Sequence, residues 1–180
     1  MPGILCDWLL NLQSNAAIKQ AIYQYLDKSS YSDIEKTIYK NISSMMLSPK
    51  TFIDTQYLHM IKDFVKLFQT LKKAGYDVHI IGNWDKESEP YLLKLMHSHH
   101  MPTSMQQCYF SCKAKELKPN PEYFNQLLQT YKTTKHECVI VDIEKMHTQK
   151  AKEQGFTSIL LHSATPTQLK SELARIGIRL

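Results

Sequence analysis

The sequence predicts an α/β domain: a Rossmann-like three-layer sandwich with a mostly parallel sheet and a small helical insertion. Short apolar runs alternate with longer segments of helical period, the pattern of βαβ units. Several of these runs end in polar residues, among them Asp7, Asn83 and Asp142, as expected where a parallel sheet offers its carboxyl edge to a ligand. Residues 14–56 break the alternation with two helical stretches and no strand pattern. With 180 residues, 43% of them apolar, the chain can bury one continuous core.

The predicted strands are Ile4–Asp7, Asp77–Ile81, Gln107–Ser111, Cys138–Asp142 and Ser158–Leu161. Before the second, Met60, Ile61, Phe64, Leu67, Phe68 and Leu71 recur at spacings of three and four, and Gly75 ends the helix they define. Helices follow at about Ser88–His97, Pro121–Tyr131, Lys145–Gln154 and Pro166–Ile176. The inserted stretches, about Ala16–Leu26 and Tyr31–Met46, come directly after the first strand, where they would form a lid over the strand ends. The expected division is therefore a core of residues 1–13 and 57–180 with a helical cap of residues 14–56.

The 22 Lys and Arg outnumber the 17 Asp and Glu, but they are spread along the chain, so a nucleic-acid partner is not expected. The N-terminus, Met-Pro-Gly-Ile-Leu-Cys-Asp, lacks a basic leader and does not read as a secretory signal. No apolar run reaches the roughly 20 residues that span a bilayer, so no membrane association is expected. Four cysteines without a CxxC pair fit free thiols in a reducing compartment, and the expected location is cytoplasmic.

The residues at the strand ends carry the chemistry. Asp7 ends the first run, Gly82-Asn83-Trp84-Asp85 follows the second, Lys118 lies after the third and Asp142 ends the fourth. Two converging carboxylates, Asp7 and Asp142, can hold Mg²⁺, which prefers oxygen ligands. A lysine beside them can neutralise a phosphate, and an aspartate can attack phosphorus to form an aspartyl-phosphate.

Three stretches resemble the haloacid dehalogenase-like (HAD) hydrolases. Ile61–Asp85, IKDFVKLFQTLKKAGYDVHIIGNWD, is similar to the helix, strand and second motif of that family. Lys115–Phe124, KELKPNPEYF, resembles the third motif, and Val139–Gly155, VIVDIEKMHTQKAKEQG, the fourth; the tail TPTQLKSELARIGI resembles the last helix. The resemblance implies a HAD-like fold, with Lys118 as the phosphate-binding lysine, Asp142 as a metal ligand and Asp7 as nucleophile. It sets Gly82 and Asn83 at the substrate, and Trp84 adjoins them in sequence as a further candidate contact.

The pattern is broken at the chemistry. Leu9 stands where the family's phosphatases carry the acid that protonates the leaving group, a contribution of about 10²–10⁴ in rate. Leu10 and Asn11 replace the following glycine and threonine, Gly82 replaces a hydroxyl residue, and Ile143 replaces an acid. The expected function is a weak, Mg²⁺-dependent phosphatase acting on a small phosphorylated compound through Asp7. The alternative is a catalytically inactive HAD-like domain that binds a ligand or a protein.

Other features have plainer expectations. His97, His99 and His100 do not share a helix face, as a metal site needs, and read as a solvated helix end. Cys108 and Cys112 read as core residues, and Trp8 and Trp84 as covers of either a substrate pocket or the sheet edge. Tyr23, Tyr25, Tyr31, Tyr39, Met45 and Met46 supply the insertion with an apolar face, for packing on the core or on a partner.

Overall fold

The computed structural model describes residues 2–48, 58–101, 107–163 and 165–180; the end of the predicted insertion, residues 49–56, and Pro102 beyond the histidine cluster fall outside these. The first element corrects the expectation of a strand at Ile4–Asp7. Residues Pro2–Leu9 form a helix, α1, which continues into a turn in which the Leu12 N–H donates to the Asp7 carbonyl. Four apolar-leaning residues fit either state, and proline is well accommodated in the first turn of a helix, where its missing N–H costs nothing.

Helices α2 (Asn15–Lys28) and α3 (Asp33–Met46) follow, each begun by a serine. Ser14 Oγ accepts from Ala17 N, while Ser32 and Glu35 form a reciprocal capping box. Helix α4 (Leu58–Lys73) ends as its spacing predicts: Gly75 has a φ of +88°, a conformation that residues with a Cβ rarely adopt.

Beyond α4 the chain alternates: β1 (Ile80–Gly82), α5 (Glu89–Ser98), β2 (Cys108–Phe110), α6 (Ser111–Ala114), α7 (Pro121–Tyr131), β3 (Val139–Asp142), α8 (Lys145–Glu153), β4 (Thr157–Leu160) and α9 (Pro166–Arg175). The strands are parallel as expected, but they pair as two ribbons. β1 pairs with β2, Ile81 opposite Tyr109, and β3 pairs with β4, Val141 opposite Ile159. The strand predicted first, Ile4–Asp7, is part of α1, and no strand pairing joins the two ribbons among the described residues.

Side chains unite them instead. On one face Tyr109 of β2 and Ile140 of β3 share a core with Tyr123, Phe124 and Leu127 of α7 and Ala151 of α8. On the other face Phe68 of α4 packs into two clusters. One holds Leu92 and Met96 of α5 with Phe110; the other holds Leu169 and Leu173 of α9 with Ile159. The result is helix, sheet and helix in three layers, the HAD-like α/β arrangement with its strand ends on a common rim.

Asn15 fastens the inserted helices to that rim. It is buried, accepts from Trp8 Nε1 at 2.7 Å and donates to the Leu47 carbonyl at 2.9 Å; its own N–H donates to Glu87 Oε1 in the loop after β1. Trp8 therefore secures α1 to α2.

Candidate active site

The loop that begins α7 delivers Lys118 to the end of β3. Asn120 caps the helix by accepting from Glu122 N, and Pro121 occupies its first turn. Asn83, just beyond β1, grips the preceding segment: its Nδ2 donates to the Lys118 carbonyl at 2.9 Å, and its Oδ1 accepts from Lys118 N at 2.8 Å. Asn83 is thus a positioning residue for Lys118. The expected contact with substrate competes with two bonds that the amide already makes.

Held in this way, the Lys118 ammonium reaches Asp142 Oδ2 at 2.7 Å, the two side chains being 7% and 9% exposed. The same oxygen lies 3.0 Å from His147 Nδ1 in the first turn of α8, and Asp142 Oδ1 accepts from Glu144 N. Burial pushes the Asp142 carboxyl up, but the lysine, the Glu144 N–H and His147 together outweigh it and hold the acid below its ordinary value. His147 was not expected from the sequence. A histidine five residues after a strand-end acid, in the first turn of the next helix, is a position from which it can turn back on that acid.

The other expected residues are placed differently. Asp7 rides on α1, and its carboxylate accepts from Gln13 Nε2 at 3.2 Å. The end of α1 is docked nearby, as Ser111 Oγ donates to the Leu9 carbonyl and Lys115 Nζ to the Leu10 carbonyl. The Gly82 N–H, expected to face phosphate, donates to Tyr123 Oη, which itself donates to the Tyr109 carbonyl. A Cβ at Gly82 would meet only Phe110, at 3.9 Å. Trp84 donates its backbone N–H to Ser111 Oγ, and its ring packs near Phe110 in the core. Asp85 is buried and accepts from the N–H groups of Glu87 and Ser88, ordering the turn into α5.

No group of three or more His, Cys, Asp and Glu is placed to hold a metal among the described residues. His97 and His100 are exposed at the end of α5. Burial pushes the Cys108 and Cys112 thiols up to about 11, so both are weak nucleophiles at neutral pH. No helix among the described residues is long and apolar enough to cross a membrane.

This chain is similar to known proteins in both sequence and fold. It is 31% identical over 98 residues to bifunctional epoxide hydrolase 2 of Mus musculus, a match covering 52% of this chain and 17% of that protein's length. A crystal structure of a HAD family enzyme from Bacteroides thetaiotaomicron superposes on it with a TM-score of 0.59. That match covers 89% of this chain and 73% of the other, at 18% identity, and carries the fold alone. A family model described as haloacid dehalogenase-like hydrolase matches residues 7–161. With the order of its strands and the lysine and aspartate at their ends, this chain belongs to the haloacid dehalogenase-like hydrolase family.

Proposed function

We propose that this chain is a HAD-like domain kept for binding a ligand or a protein, its aspartate chemistry lost. One observation carries the reading: Asp7 stands on a helix and is hydrogen-bonded to Gln13, while the Lys118 ammonium is closed on Asp142. A nucleophilic carboxylate needs a cation that faces both it and the phosphate, and here that cation is already neutralised. Gly82 N–H and the Asn83 amide, the natural phosphate donors, are likewise engaged.

The family generally uses Mg²⁺, but the residues present do not fit it. Both Asp142 oxygens already have partners, its charge is balanced by Lys118, and it belongs to no group of three or more His, Cys, Asp and Glu among the described residues. Residues 14–56 serve in this reading as a cap whose base is fixed at the rim by Asn15 and Glu87. The four free thiols fit a cytoplasmic location.

A second reading, a weak phosphatase of a small phosphorylated compound acting through Asp7, is favoured by the docking of α1 at the rim through Ser111 and Lys115. Hydrolysis of an aryl phosphate by wild type and by Asp7→Asn distinguishes the two. Equal rates support the binding domain; a rate that disappears with Asp7→Asn replaces it with the phosphatase.

A further inference from the structure

Helix α3 is amphipathic in the inverted sense. The side turned to α2 is polar: Lys40 Nζ pairs with Asp27, Lys36 Nζ donates to the Asp27 carbonyl, and Ser44 Oγ shares a hydrogen bond with Tyr23 Oη. Lys36, Lys40, Ser43 and Ser44 are all half-buried there. The opposite side holds Ile34, Ile38, Ile42, Met45 and Met46, with Tyr31 at its head, and every one is exposed, from 41% for Tyr31 to 75% for Ile34. An isolated hairpin would place these faces the other way round, because burying isoleucine is worth roughly 1.5–3 kcal/mol and burying lysine is not.

We propose that this face of α3 is the contact surface of a symmetric dimer, occupied by α3 of a second copy of the chain. Ile34, Ile38, Ile42 and Met46 recur at intervals of four, forming the kind of ridge that interdigitates with its like when two helices cross at about −50°. The ridge is palindromic about Lys40. A two-fold axis at that level sets Ile38 of each copy on Ile42 of the other, and Ile34 on Met46, so one patch is its own complement.

The exposed side chains adjoin one another along the helix, and a contiguous apolar patch of a few hundred Å² or more on a folded chain commonly marks an interaction site. Both lysines of α3 are turned to α2, and the Glu35 carboxylate that borders the ridge is held at the helix start by Ser32, so the centre of the ridge is uncharged, as the centre of an interface is. The proposal stands whether or not Asp7 is catalytic.

Sedimentation of the whole chain across the micromolar range tests it. Wild type is expected to dimerise, and Ile38→Asp and Ile34→Lys should each raise the dimer Kd at least about 100-fold, since each buries an unpaired charge. Both positions are exposed in the single chain, so circular dichroism should remain that of wild type. Ile176→Asp, at an exposed site after α9, makes the same charge change elsewhere and should leave the dimer intact. A monomeric wild type overturns the proposal, as does a dimer that survives Ile38→Asp as well as it survives Ile176→Asp.

Discussion

Lys118 Nζ lies 2.7 Å from Asp142 Oδ2, and this buried pair ties the loop before α7 to the end of β3. Removing one partner leaves the other charge buried and unpaired, a loss of about 3–5 kcal/mol. Asp142→Asn should therefore lower the urea unfolding free energy by about that amount. The double variant Lys118→Met/Asp142→Leu should recover most of it, since an apolar pair of similar volume needs no compensating charge. A loss under about 1 kcal/mol, as for an exposed pair, would show that water screens the site.

The same pair sets an acid limit. Asp142 is held below its ordinary value in the folded chain, so it binds its proton less readily folded than unfolded. Its contribution is complete above the unfolded value of about 3.9 and is lost as pH falls through the lower folded value. Wild-type stability should consequently decline more steeply below about pH 4 than that of Lys118→Met/Asp142→Leu. Parallel declines in the two proteins would assign the acid limit to other carboxyls.

Asn83 contributes two hydrogen bonds to the backbone of Lys118, each worth about 1 kcal/mol net. Asn83→Ala should lower stability by about 2 kcal/mol and speed hydrogen exchange at the Lys118 amide. Unchanged exchange at that amide would separate Asn83 from the placement of the lysine.

Mg²⁺ should bind weakly to wild type, because Asp142 is occupied by Lys118. Lys118→Met frees that carboxylate and should tighten Mg²⁺ binding in calorimetry, whereas adding Asp142→Asn should abolish the gain. Tight binding that persists with Asp142→Asn would place the metal elsewhere.

Leu9 lies two residues beyond Asp7 on the same helix, so their side chains point about 200° apart. An acid at Leu9 therefore cannot share a substrate with Asp7, and Leu9→Asp should leave hydrolysis of alkyl phosphates at the wild-type rate. A clear rise would mean that residues 4–9 are extended in the active protein. Gly82→Ser should fold normally, changing stability by no more than about 0.5 kcal/mol, because its Cβ meets only Phe110 at 3.9 Å.

Elements governed by local rules were legible in the sequence. The spacing of Phe64, Leu67, Phe68 and Leu71 with Gly75 behind it, and the helix that Pro121 opens, each act within a turn or two of backbone. The order of β1 to β4 followed from alternating periodicity. Tertiary structure alone decided the rest. Ile4–Asp7 is too short for its pattern to separate strand from helix, and periodicity does not reveal that the four strands pair as two ribbons. Asn83 and Lys118 are 35 residues apart, so their clasp depends on how the loops after β1 and before α7 meet. His147 joins Asp142 through the angle at which α8 leaves β3, and the outward turn of Ile34, Ile38 and Ile42 depends on how Lys40 meets Asp27 across the hairpin. Periodicity specifies that a helix has an apolar face, whereas the direction of that face is set by contacts distant in sequence.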